Sequence, residues 1–255
     1  MIDLKRIDEF AILTLNRPQV LNALNREMMG MLKVVLEQVE ASDARCLIIT
    51  GAGDRAFCAG ADISELCNRP VESELDHTLA GQDIMSQLEA LRQPSIALVN
   101  GHALGGGCEL ALAATFRLAT ARARFGLPEI KLGLVPGFGG TQRLARLIGL
   151  PSALEMMMSA RSVDAEEALR LRLVSRVLAA DDPMSQALSF GRQFTGFSLL
   201  TQRLIRDVAL RGLGQSLQQG LFLEAQVSTL SFRSEDGQEG LQAFLEKRKP
   251  VVKDR

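Results

Sequence analysis

The spacing of apolar positions changes repeatedly along the chain, and each change predicts an element. Phe10–Leu15 (FAILTL) alternates and stops at Asn16-Arg17-Pro18, which predicts a strand ended by a turn. Over 25–41, Met28, Leu32, Val35, Leu36 and Val39 recur at helical spacing. The run 46–50 (CLIIT) predicts a short buried strand. Strand, helix and strand in such close succession define a layered α/β chain. Residues 67–79 are polar and poorly periodic, so a mobile segment is expected there. The period turns helical at 81–91, where Ile84, Leu88 and Leu91 are in phase. A strand at 96–99 then leads through glycines into a small-residue helix at 108–114. Helices follow at 139–148, 152–160 and 165–171, and a last short strand at 173–178.

From Pro183 onward the pattern is helical throughout, at 184–194, 199–210, 216–230 and 239–248. The expected division is an α/β core over 1–196 and a helical tail over 197–255. Leu217, Leu221, Phe222, Leu230 and Phe232 exceed what a small tail buries alone. They predict packing against another subunit.

Composition narrows the function classes. A chain of 255 residues, 47% hydrophobic, can bury a sizeable core. A net charge of −1 provides no basic field for nucleic acid, and aromatics at 4%, with no Trp or Tyr, leave few stacking platforms. No apolar run approaches the roughly 18 residues of a membrane helix. The N-terminus has neither an apolar signal region nor an Arg-rich presequence, so a cytoplasmic protein with reduced thiols is expected. Of Cys46, Cys58, Cys67 and Cys108, three sit among apolar or small residues and read as buried hydrophobes. His77 and His102 are too isolated to suggest a metal centre.

Candidate chemistry concentrates in one stretch. Gly105-Gly106-Gly107 joins the strand at 96–99 to the helix at 108–114, with Glu109 just behind the glycines. Glycine lets a ligand touch main chain, and N–H groups at a helix start lack internal partners. Together they suit an anion or a developing oxyanion. Glu129 follows Pro128 and precedes Gly133, Pro136 and Gly137. Each acid also has a plain structural reading, Glu109 as dipole compensation and Glu129 as a solvated loop acid. Upstream, Gly51-Ala52-Gly53-Asp54-Arg55-Ala56 imitates a dinucleotide fingerprint, but no helical period opens inside its glycines. Asp62 and Glu65 have the spacing of a capping box, which favours a helix-cap role for Asp62. The N–H of Ala61, beside Gly60 and just before a helix start, is a candidate second oxyanion donor. Arg143 reads as a helix-surface ion-pair partner, and Arg117, Arg122 and Arg124 as a solvated face.

The segments NGHALGGGCELALA and FGLPEIKLGLVPGFGGTQRL resemble the crotonase, or enoyl-CoA hydratase/isomerase, family. The resemblance extends upstream through LNRPQVLNALN and AFCAGADISEL and downstream through EDGQEGLQAFLEKRKP, so it covers essentially the whole chain. It implies a crotonase-like spiral of ββα units with a C-terminal helical oligomerisation region. It further implies enoyl-CoA hydratase activity, with double-bond isomerisation or another acyl-CoA reaction as the alternative and an RNA-binding role as a remoter one. By the same resemblance, Glu109 and Glu129 are the acid–base pair, and the amides of Ala61 and Gly106 hold the thioester oxygen. Asp62, Ile63, Ser64 and Gly137 line the substrate; Gly137 is the candidate to orient the water. Ala23, Phe244 and Lys247 approach the CoA, the last two from a neighbouring subunit of a trimer or dimer of trimers. No cofactor or metal is implied, because CoA is part of the substrate. Two positions depart from the family pattern: Gln19-Val20 stands where relatives often carry a basic residue, and Leu127 where some hydratases have a polar one.

Overall fold

The computed structural model describes residues 1–67, 69–179 and 181–255. A large sheet contains β1 (Ile2–Ile7), β2 (Phe10–Leu15), β3 (Cys46–Gly51), β5 (Ser95–Val99), β7 (Phe116–Thr120) and β10 (Arg176–Leu178), in the order β1-β2-β3-β5-β7-β10. Only β1–β2 is antiparallel; the later pairs are parallel. A small sheet contains β4 (Ala56–Cys58), β6 (His102–Leu104), β8 (Arg124–Gly126) and β9 (Val163–Asp164), in that order. The helices are α1 (Arg26–Ala41), α2 (Val71–Ala90), α3 (Gly106–Ala113), α4 (Gly140–Ile148), α5 (Leu150–Ser159), α6 (Ala165–Arg170), α7 (Pro183–Thr195), α8 (Leu199–Gly212), α9 (Leu217–Arg233) and α10 (Glu235–Leu245).

The chain winds as a spiral. Three times in succession it lays a strand in the large sheet, another in the small sheet, and then a helix: β3-β4-α2, β5-β6-α3 and β7-β8-α4. The main core lies on one side of the large sheet, where Leu13, Leu15, Leu47 and Ile49 meet Met28, Leu32, Leu36, Met85 and Leu88. The other side is closed by α7, whose Ala187, Leu188 and Phe190 pack on Phe10, Ile12, Ile48, Ile96 and Leu98. The alternation in FAILTL thus serves two cores, one on each face.

Several expectations need correction. Residues 71–79 are regular helix: α2 begins at Val71, directly after Pro70, and runs unbroken to Ala90. No Gly or Pro interrupts 71–80, and Glu72 and Glu74 complement the dipole of the first turn. Val71, Leu75 and Leu79 do recur every four residues, but they are few among polar neighbours, and all three are exposed. Asn68, within the segment expected to be mobile, lies outside the described residues. Arg117 is buried, not part of a solvated face; it donates to the carbonyls of Ala114 and Leu173 and so compensates the C-terminal end of α3. The strand expected at 173–178 is confined to Arg176–Leu178.

Cys46, Cys58 and Cys108 are buried and Cys67 is exposed. No helix among the described residues is long and apolar enough to cross a membrane. The tail is tied to the body by Arg45, which pairs with Asp254 and donates to the carbonyls of Thr195 and Phe197. Leu217, Phe222, Leu230, Phe232, Phe244 and Leu245 remain exposed.

Candidate active site

In the small sheet β4, β6 and β8 are parallel neighbours, so their C-terminal ends share one edge. Ala59-Gly60-Ala61 leaves β4 there, Gly105-Gly106 leaves β6, and Leu127-Pro128-Glu129 leaves β8. Ala61, Ile63, Gly106, Glu109, Glu129 and Gly137 therefore line one cavity of about 210 Å³, with Leu66, His77, Thr78, Leu132, Val135 and Phe138 completing its walls.

Two amides face this cavity without partners among the described residues. A parallel bridge pairs Leu24 with Ala61: Leu24 N–H donates to Gly60 O, and Asp62 N–H to Leu24 O. That pattern turns the N–H of the bracketed residue, Ala61, to the opposite side. Gly106 is the first residue of α3, so its N–H has no intrahelical acceptor. A Cβ built on Gly60 would lie 3.6 Å from Gly106 N, which puts the two loops in contact. Gly105 holds φ 52°, ψ −129°, a region closed to most side chains, and its Cβ would lie 3.2 Å from Glu129 Oε1.

Glu109 is 2% exposed. Its Oε1 accepts from Phe138 N–H at 2.8 Å and Gly140 N–H at 2.7 Å, so it caps the start of α4. Those bonds favour the anion, but burial outweighs them, and with the charge of Glu129 it pushes the carboxyl up to about 7. Burial also raises Glu129, whose Oε2 is buried with no hydrogen-bond partner among the described residues. Two carboxyls, both raised by burial, beside a pair of free amides suit proton exchange with a substrate whose oxygen those amides hold. Cys108 adjoins Glu109, but burial and the two glutamates hold its thiol up at about 12, so it offers no thiolate. Among the described residues no cluster of three or more His, Cys, Asp or Glu could hold a metal ion.

Asp62 and Ser64 adjoin the cavity without lining it. Asp62 does not cap the short helix after it: its carboxylate takes Arg17 at 3.2 Å and Ser64 Oγ at 2.7 Å. Glu65 instead accepts from Arg26 N–H at 2.8 Å, at the start of α1. Ala23 precedes the bridging Leu24, and its carbonyl accepts from Arg17 at 2.6 Å. Phe244 lies in the last turn of α10 and is exposed, Lys247 lies just past the helix, and neither lines the cavity. The amides of Phe138 and Gly140 escaped the sequence reading. Their only signal was Gly139-Gly140 ahead of a helix, a place where unpartnered N–H groups are expected. Arg143 makes the ion pair read from the sequence, with Glu89 at 3.1 Å.

The sequence model described as enoyl-CoA hydratase/isomerase matches residues 7–255. A crotonyl-CoA hydratase of Syntrophomonas wolfei is 39% identical over 249 residues, 97% of this chain and 96% of that one. A short-chain-enoyl-CoA hydratase of Clostridium acetobutylicum is 38% identical, covering 96% of this chain and 95% of that one. The crystal structure of an enoyl-CoA hydratase from Bacillus anthracis superimposes with a TM-score of 0.93 at 36% identity, covering 100% and 99% of the two chains.

Proposed function

The chain belongs to the enoyl-CoA hydratase/isomerase family, and on that premise we propose that it is an enoyl-CoA hydratase, adding water reversibly across the 2,3 double bond of a trans-2-enoyl-CoA. The observation that carries the mechanism is two raised carboxyls, Glu109 and Glu129, on one small cavity with two unpartnered amides. Water attacks C3 and electrons shift onto the thioester oxygen. The N–H groups of Ala61 and Gly106 hold that oxygen as it becomes negative, an interaction worth about 2.7–4 kcal/mol for each donor in other enzymes. Glu109 takes the proton of the attacking water, and its Phe138 and Gly140 bonds leave Oε2 for that contact. Glu129 delivers a proton to C2, giving the 3-hydroxyacyl-CoA. Gly137, on the same wall, helps place the water. The scheme needs no metal or redox group, and CoA enters with the substrate.

The helical tail, 197–255, joins copies of the chain into a trimer or a dimer of trimers. Its exposed apolar side chains support this. Phe244 and Lys247 then meet the CoA of an adjoining copy, while Ala23, Asp62, Ile63 and Ser64 frame the CoA-proximal end of the substrate on their own copy. Light scattering reads the assembly, and a monomer at micromolar concentration refutes it. Turnover of crotonyl-CoA by the wild type and by Glu109→Gln and Glu129→Gln tests the chemistry. Each variant is expected to lose roughly 10²- to 10⁴-fold in kcat. Near wild-type turnover in either removes the two-carboxylate scheme.

A further inference from the structure

Glu109 is held entirely by main chain on one oxygen, so something must hold that main chain. The two donors, Phe138 N–H and Gly140 N–H, belong to the peptides 137–138 and 139–140. Between them lies the peptide 138–139, whose carbonyl accepts from Arg143 Nη1 at 3.1 Å. The same guanidinium uses Nε and Nη2 on Glu89, with both distances 3.1 Å. Glu89 closes α2 and Arg143 lies one turn into α4, so the fork spans two helices. Arg143 is largely buried. Gly139 has φ 106°, and a Cβ there would fall 2.2 Å from Arg143 Nη1. Only glycine admits the arginine to this carbonyl.

We propose that Arg143, oriented by Glu89, is a positioning residue for the general base: it fixes the peptide between the two amides that grip Glu109, and its charge tunes that carboxyl. The inference rests on Glu109 acting as the base in the proposed reaction. Five rigid donors let an arginine bind a carboxylate in two places and a carbonyl in a third; a lysine's point charge cannot reproduce the fork. The charged groups acting on Glu109 are Glu129, which raises it, and Arg143, which lowers it. The neighbouring Cys108 thiol stays neutral. Glu89 acts on the base only through the arginine it neutralises.

The two partners therefore have opposite electrostatic effects. Removing Arg143 takes away a cation and moves the titration of Glu109 to higher pH. Removing the charge of Glu89 leaves that cation uncompensated and moves it to lower pH. The test is an isotope-edited infrared titration with ¹³C-labelled glutamate, with the Glu109 band assigned by its loss in Glu109→Gln. It is run on the wild type, Arg143→Gln, Arg143→Lys and Glu89→Gln, with kcat and KM for crotonyl-CoA measured alongside. Arg143→Gln is expected to lower kcat by roughly ten- to a hundred-fold, as small displacements of catalytic groups do, with KM little changed. Arg143→Lys is expected to restore the titration more fully than kcat. Opposite shifts in Arg143→Gln and Glu89→Gln support the proposal; if Arg143→Gln does not fold, Arg143→Lys and Glu89→Gln carry the comparison. Shifts of the same sign, no shift, or a kcat loss that only tracks the folded fraction overturn it. Absence of hydration by the wild type would refute the enzymatic reading, while the titration would still decide the positioning role.

Discussion

Glu109→Gln should make the protein more stable while it sharply lowers turnover, and the gain should depend on pH. The carboxyl rises from an ordinary 4.5 to about 7 in the folded chain, chiefly through burial. The folded state therefore binds the proton more tightly than the unfolded state. Below about 4.5 both states are protonated and burial exacts no charge penalty. As pH rises toward 7 the unfolded chain releases its proton first, and the folded state falls behind in free energy. Above about 7 the loss is complete. A pKa difference of about 2.5, at 1.36 kcal/mol each, makes it about 3 kcal/mol. Glutamine escapes the loss because it carries no charge, and its Oε1 can still accept from Phe138 and Gly140. For a chain of this size the expected rise in Tm is roughly 6–12 °C at pH 8, shrinking toward zero near pH 4.5. Paired thermal scans at equal protein concentration across that range measure it. An unchanged gap across pH, or a less stable variant at pH 8, refutes the reasoning about burial.

Further outcomes follow from the same geometry. Gly140→Ala places a Cβ 2.9 Å from both Glu109 Oε1 and Leu127 Cδ1; kcat for crotonyl-CoA should fall roughly ten- to a hundred-fold, with KM less affected. Ala61→Pro removes one oxyanion donor and should cost roughly 10²–10³ in kcat, read by steady-state kinetics. In the wild type, kcat/KM should rise with pH through about 7 as Glu109 ionises; a profile flat from pH 6 to 8 contradicts the assignment of Glu109 as base. Phe222→Glu, on an exposed apolar position of α9, should lower the mass seen by light scattering, and an unchanged mass places the contact elsewhere.

The α/β class was legible because Phe10–Leu15, the run at 46–50 and the helix after Asn25 each announce their period locally. The division into two sheets was not. β4, β6 and β8 are each three residues long, too short to show an alternation, and they find their partners only through the spiral. The first half of helix α2 was missed although Val71, Leu75 and Leu79 recur every four residues, because the three are diluted among polar residues; that thin stripe is exposed. At the site, Glu109 and Gly106 could be picked out from the glycine cluster and the helix start. The support of Glu109 could not, because it comes from backbone amides 29 and 31 residues away and no side-chain pattern marks a main-chain donor. Arg117 misled for a related reason: its partners are main-chain carbonyls, at the end of α3 and at Leu173, which leave no complementary acid in the sequence.

Phe138 serves the cavity twice, through independent atoms. Its ring forms part of the wall, in a T-shaped contact with His77 at 5.5 Å between centroids, while its amide donates to Glu109. Replacing the ring changes the room offered to an acyl chain but leaves the peptide N–H in place. On the proposed mechanism, substrate range and proton transfer are thus separately mutable, and a lineage built on this scaffold can re-tailor what it accepts without reinventing how it reacts.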